Sequence, residues 1–394
     1  MRRVVVTGLG AVSPFGAGVK ATWAGVAAGL CAIRPLTLIE TAGFRCQVAA
    51  EVPEGLAGSH RRSRADRLAL AAVREALDDA GLTIADRAQA ALIVGAVGGG
   101  MLEAEAWHWS RRGRPVPHGS TLNAVRSILP SSHAETLASR LGLGGPRETL
   151  VTACSSGAAS LAVAADLIND GAVDVALAGG ADSITRICFM GFNALKLLDP
   201  GVCRPFDRER KGMSIGEGAA FLVLEEATRA RARGAREYAE LAGCAMTTDA
   251  FHVTAPQPDG DGMARAMRAA LARGGVAPSD VGYVNAHGTA TLQNDRIEAA
   301  ALRGIFGEGR VLVSSTKSMI GHTMAAAGSL EALVTVLALV HGLVPPTAHH
   351  EHTDPDVPFD CVPGVARDVT VEHAISNSFG FGGQNVTLLF RARA

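Results

Sequence analysis

Continuous aliphatic runs alternate with stretches of helical period from one end of the chain to the other. "RRVVVTGL", "AALIVGAV", "ETLVTAC", "VDVALAGGAD" and "GAAFLVLEE" read as strands in the first part of the chain. In the second part "AELAGCAMTT", "VGYVNAHG", "VLVSSTK", "HAISNSFGFGG" and "NVTLLFRA" do the same. These runs are apolar without strict alternation, which predicts strands covered on both faces. Between them lie helical patterns: residues 18–29, "RADRLALAAVREALDDAG", "SSGAASLAVAADLIND", "GMARAMRAALARGG", "DRIEAAALRGIFG" and a long apolar helix after His322. The order predicts a layered α/β architecture. No Pro/Ser linker divides it. The polar, Arg-rich "TRARARGAREYAE" offers the best boundary, near residue 238, and so predicts halves of 1–238 and 239–394. Their similar style suggests duplication, although no fixed period proves it.

Composition narrows the function classes. Among 394 residues 48% are hydrophobic and 19% charged, which suits a well-buried globular protein. The 46 glycines and an aromatic content of 4% favour close helix-on-sheet packing over an aromatic-lined nucleic-acid surface. A formal net charge of −1 gives no general attraction to nucleic acid or anionic lipid. "MRRVVVTGLGAVSPFG" reads as a first strand, not a signal peptide. The apolar "AAAGSLEALVTVLALVHGLVPP" contains Glu331 and ends in prolines, so it reads as a core helix, not a membrane span. Seven cysteines without a CxxC pair point to reduced thiols and a cytoplasmic protein.

Candidate chemistry sits at strand ends and helix starts. Cys154 lies where "ETLV" turns into a small-residue helix, a place whose free N–H groups favour a thiolate and can hold an oxyanion. Free cysteines are also common core residues, and this segment alone leaves both readings open. His287 ends a strand and is followed by Thr289 and Thr291. By itself it reads as a structural histidine. Lys317, at a strand end, reads alone as a solvated charge, and His322 as a turn residue before a long helix. "SNSFGFGGQN" is a glycine-interrupted loop, with Gly380 and Gly382 around Phe381, able to bring backbone close to a ligand; it lacks phosphate-loop spacing. "HHEH" at 349–352 is a weak metal candidate in a Pro-rich loop. "EAWHWSRRGRPVPHG" reads as a loop, with Trp107 and Trp109 either packed inward or part of a lid or subunit contact. One cysteine, two histidines and a lysine from separate parts of the chain form the kind of set that builds an active site.

The ordered motifs "TACSSG", "AGGAD", "CRPFDRERKGMSIGEGA", "NAHGTATLQND", "STKSMIGHTMAAAG" and "NSFGFGG" resemble the condensing β-ketoacyl-acyl carrier protein synthases of the thiolase superfamily, over nearly the whole chain. The resemblance implies a five-layered α-β-α-β-α thiolase fold of two fused halves. It implies Cys154 as nucleophile, His287 and His322 as catalytic histidines, and an ion pair of Lys317 with Glu298 that orients His322. It also implies an oxyanion hole from the amides of Cys154 and Phe381, with Phe381 gating the acyl pocket, and Thr289, Thr291, Gly380 and Gly382 on the substrate arm. The implied reaction is decarboxylative Claisen condensation of an acyl group on Cys154 with a malonyl thioester, in fatty-acid or type II polyketide or polyene synthesis. It needs no metal or nucleotide cofactor, because phosphopantetheine of an acyl carrier protein bears the substrates. The implied partners are that carrier and a second subunit, a copy or a chain-length-factor-like chain, with no nucleic acid or membrane. Arg61, Arg62, Arg64, Arg67 and Lys196 become candidates for docking the acidic carrier. Leu292 and Gln384 depart from the family's usual proline and threonine. The alternatives are an acyltransferase or malonyl decarboxylase on the same scaffold, or a non-elongating chain-length partner, against which the intact cysteine and histidines count.

Overall fold

The computed structural model describes residues 2–55, 62–112 and 126–393. The main-sheet strands are β1 (Val4–Ser13), β2 (Ala91–Gly95), β3 (Arg147–Leu150), β4 (Val175–Asp182), β5 (Gly218–Glu226), β6 (Ala239–Thr248), β7 (Val281–Asn285), β8 (Leu312–Ser314), β9 (His373–Gly380) and β10 (Gln384–Ala392). They lie in the order β8-β7-β9-β10-β6-β1-β5-β4-β2-β3. The short pairings Val5 with Glu240 and Val6 with Ala239 join two groups of five strands.

Each group repeats one topology. In chain order the first strand sits next to the fifth, then come the fourth, second and third. In both, the fifth strand is antiparallel to its two neighbours, and the other pairings are parallel. The duplication suggested by style is therefore present in the connectivity. Parallel strands require crossover connections, and the crossovers supply the helices on either side of each sheet.

Five layers result. The helix α1 (Arg64–Asp79) covers β1 and β5 on one outside, and α4 (Asp261–Gly274) covers β6 and β10 on the other. Between the sheets lie α2 (Ser156–Asn169) and α6 (Ala327–His341), each touching strands of both halves. Of the remaining helices α3 (Arg186–Ala194) and α5 (Leu292–Phe306) flank the site. A helix apolar all round belongs in an interior. Accordingly α6 is buried from Ala327 to Leu339, and with the turn before it forms Met324–His341, the only helical stretch among the described residues long and apolar enough to cross a bilayer, 89% of it buried in the fold. The two central helices meet through small residues: a Cβ at Gly328 would stand 2.7 Å from the Ala158 Cβ. Each fully buried leucine there, such as Leu330 or Leu333, adds roughly 2 kcal/mol of burial.

The strands and long helices fall where the hydrophobic pattern predicts. One segment differs. Residues expected in a loop at 105–119 are helical as far as Arg111, in the helix Met101–Arg111, because its residues are good helix formers and the breakers begin only at Gly113. Trp109 is exposed there, and residues 113–119 lie outside the described residues.

Candidate active site

Cys154 is placed by a tight corner. After β3 the chain makes a 3-10 turn, Ala153–Ser155, that runs straight into α2. Ala153 adopts φ 51°, a left-handed conformation that costs energy for a residue with a Cβ. The following serines hold the corner. Ser156 Oγ accepts from the Thr152 N–H at 2.9 Å and donates to the Ala153 carbonyl at 2.7 Å, and Ser155 Oγ donates to the Thr152 carbonyl at 2.8 Å. Burial pushes the thiol up to about 11, against the Lys317 ammonium and the N–H groups of Phe381 and Cys154 itself, which favour the thiolate. Those two N–H groups converge only because residue 380 has no side chain. A Cβ at Gly380 would lie 2.8 Å from the Thr152 carbonyl oxygen and 3.3 Å from the Cys154 nitrogen.

The second half supplies the histidines. His287 follows β7, and the buried Glu298 carboxylate of α5 accepts the N–H groups of His287 and Gly288, each at 2.8 Å. Burial raises Glu298 to about 7. Lys317, read from sequence as solvated, is 1% exposed. Its Nζ donates to the His287 carbonyl at 2.6 Å, lies 3.3 Å from His287 Nδ1, and ion-pairs with Glu331 of α6. The expected pair with Glu298 is thus corrected: Glu298 is already committed to two backbone N–H groups, and the lysine's carboxylate is Glu331. Its contact is with His287, not His322. Burial pushes Glu331 upward and the adjacent ammonium pulls it down.

His322 precedes α6 and accepts the Met324 N–H on Nδ1 at 3.3 Å. On both rings Nδ1 faces a donor, so the hydrogen-bond network puts the proton of the neutral ring on Nε2. The rings stand 5.5 Å apart and nearly perpendicular. Burial first, and the Lys317 charge next, hold both well below 6.5. They are neutral N–H donors, and the His322 Nε2 has no hydrogen-bond partner among the described residues.

These groups share one cavity of about 380 Å³, lined by Cys154, His287, His322, Phe379, Gly380 and Phe381. Thr289 and Thr291 line it too, their hydroxyls 2.9 Å apart. The loop between them is pinned from behind: buried Asp295 accepts from the Ala290 and Phe206 N–H groups beside Arg210. Gly382 does not line the cavity; it is exposed and donates to the Val253 carbonyl. Of the docking candidates Lys196 is at the mouth, together with Lys211. Arg64 is corrected: it is 6% exposed, and its Nε donates to Glu217 at 2.9 Å, so it cannot meet a partner. Arg62 and Arg67 are half-buried and do not line the cleft, and Arg61 lies outside the described residues. In "HHEH", both ring nitrogens of His350 are occupied by protein, at Pro205 and Thr353, and the described residues contain no metal-binding cluster.

Two family models match the sequence: the β-ketoacyl synthase N-terminal domain over residues 1–230 and its C-terminal domain over residues 238–351. The chain belongs to the β-ketoacyl synthase family. Among curated relatives, the 3-oxoacyl-[acyl-carrier-protein] synthase 2 of Staphylococcus aureus (strain N315) is 38% identical, with 99% of this chain and 98% of the relative covered. The solved ishigamide ketosynthase/chain length factor superposes with a TM-score of 0.94 at 38% identity, covering both chains completely. A type II polyketide acyl-carrier protein in complex with its ketosynthase bound to the hexaketide gives 0.90 at 31%, again over 100% of both chains. As a member of this family the protein is an α/β enzyme of the thiolase fold and a β-ketoacyl synthase by class.

Two site residues escaped the sequence reading of roles. Glu331 is the only acidic or basic residue between Ala327 and Val340, and a carboxylate in such a helix requires a partner, so the signal was available. Phe192 of α3 lines the cavity and lies 5.8 Å from the Phe381 ring; nothing in its local pattern sets it apart from a core phenylalanine.

Proposed function

We propose that the protein catalyses decarboxylative condensation of an acyl group carried on Cys154 with a malonyl thioester, both delivered on the phosphopantetheine of an acyl carrier protein. The observation that carries this is one sulfur, two backbone N–H groups and two neutral imidazole Nε2–H groups around a single cavity. Cys154 sulfur attacks the acyl thioester carbonyl, whose oxyanion is held by the N–H groups of Cys154 and Phe381. The carrier sulfur leaves and takes up the proton lost by the thiol. A malonyl thioester then places its carbonyl oxygen between the two Nε2–H donors. Its C–C bond to the carboxylate breaks, CO₂ departs, and the electron pair remains as an enolate stabilised by those donors. The enolate carbon attacks the acyl-Cys154 carbonyl, a C–C bond forms, and the sulfur leaves to be reprotonated from solvent. Lys317 and Glu298 position His287 and exchange no proton with substrate. The sequence asks for no metal or nucleotide.

The rim lysines Lys196 and Lys211 support an acidic carrier as partner. The strand β3 at the end of the sheet, unpaired on its far side among the described residues and with exposed Val151 beside it, supports a second subunit, a copy or a chain-length-factor-like chain. Seven free cysteines and the interior placement of the long apolar helix support a soluble, cytoplasmic protein. The test is incubation with acyl-carrier and malonyl-carrier proteins. A product longer by two carbons, lost in Cys154→Ala, is expected. Malonyl consumption without condensation, or acyl transfer without CO₂ release, would assign the scaffold to a decarboxylase or an acyltransferase instead.

A further inference from the structure

The corner that presents Cys154 occurs twice. The turn Ala153–Ser155 opens α2 in the first half, and the turn Met324–Ala326 opens α6 in the second. Each begins with a non-glycine residue at positive φ, 51° at Ala153 and 56° at Met324. Ala325 therefore stands where Cys154 stands. The fourth strand of each half ends against the other half's corner: β9 at Gly380 beside Cys154, and β4 at Asp182 beside Ala325.

At this point the halves diverge. Gly380 leaves the Cys154 N–H facing the cavity. Asp182 instead fills the corresponding place with a carboxylate: Oδ2 accepts the Ala325 N–H at 3.2 Å, and Oδ1 accepts those of Gly98 and Gly99 at 2.9 and 3.2 Å. The side chain is 1% exposed, and a buried carboxylate is tolerated when N–H donors satisfy it. The residue before Ala325 is Met324, whose N–H holds His322 Nδ1. We propose that Asp182 is a positioning residue for His322: it occupies the second half's copy of the oxyanion corner, pins the turn Met324–Ala326, and so keeps the His322 Nε2–H turned into the cavity. The proposal rests on His322 acting as a donor to the malonyl thioester. The Cys154 corner packs against this turn, but the Asp182 carboxylate accepts from Ala325, Gly98 and Gly99 and not from the Cys154 corner, so decarboxylation should suffer more than acylation.

Two rates test it in the full-length protein: acyl transfer to Cys154, by intact mass, and CO₂ release from malonyl-carrier protein. Asp182→Asn is expected to slow CO₂ release at least tenfold while leaving acylation within threefold. In a His322→Ala background the same substitution should add less than threefold. Asp182→Glu, which restores a carboxylate, should recover most of the lost rate, and it also serves where the Asn variant does not fold: whatever loss it shows must fall more on CO₂ release than on acylation. Equal loss of both rates, or full effect without His322, would overturn the proposal and leave Asp182 a structural residue. If His322→Ala itself releases CO₂ at the wild-type rate, the reading of His322 fails instead.

Discussion

At the scale of single residues, the site depends on groups whose protonation burial shifts away from its ordinary pH range. His287 and His322 are neutral because burial and the Lys317 charge oppose protonation. This has a sign in stability. Below about pH 6.5 the unfolded chain binds protons at these two positions and the folded chain does not, so their contribution falls as pH drops through that value. The buried carboxylates Asp182 and Glu298, raised to about 6 and about 7, act oppositely, favouring the folded state as pH falls from 7 towards 4. A double variant His287→Asn, His322→Asn isolates the histidine part. Its denaturant midpoint should decline less between pH 7 and 5 than that of the wild type; an identical decline would mean that the histidines titrate normally in the fold.

Among elements, the junction of the Lys317 turn with α6 carries the cost of a buried ion pair. Both side chains are 2% exposed or less. Removing one partner leaves the other charged and unpaired, so Glu331→Leu should lose about 3–5 kcal/mol by denaturant unfolding. Replacing both, Lys317→Met with Glu331→Leu, should recover most of that stability. It should not recover CO₂ release, because His287 Nδ1 would have lost the donor that keeps its proton on Nε2. Recovery of the rate along with the stability would show the pair to be structural only. This pair also marks a limit of sequence reading. Two carboxylates, Glu298 and Glu331, were equally able to meet Lys317, and only the fold decides, by spending Glu298 on the N–H groups of the His287 turn.

For the whole molecule, the strands and long helices were legible because buried strands and a small-residue central layer write themselves as long apolar runs. Cys154, His287, His322 and the Phe381 loop were legible as strand-end or helix-start residues, and their proposed roles came only with the family resemblance that the ordered motifs carry. What was not legible depends on contacts between distant segments. Arg64 looks like one of a solvated basic cluster, yet it turns inward onto Glu217, more than a hundred residues away. Phe192 meets Phe381 only through the packing of α3 against the loop after β9. Asp182 and Gly380 become counterparts only once the two halves are superimposed by topology. The site, too, belongs to the whole, since the first half brings the sulfur and the Cys154 N–H and the second brings both imidazoles and the Phe381 N–H. The most direct test of that account is peptide-resolved mass spectrometry after brief exposure to acyl-carrier protein alone, followed by malonyl-carrier protein. The account predicts an acyl adduct confined to Cys154 that disappears as a two-carbon-longer product forms on the carrier. An extended product without any adduct on Cys154, or an adduct that malonyl-carrier protein leaves in place, would contradict it.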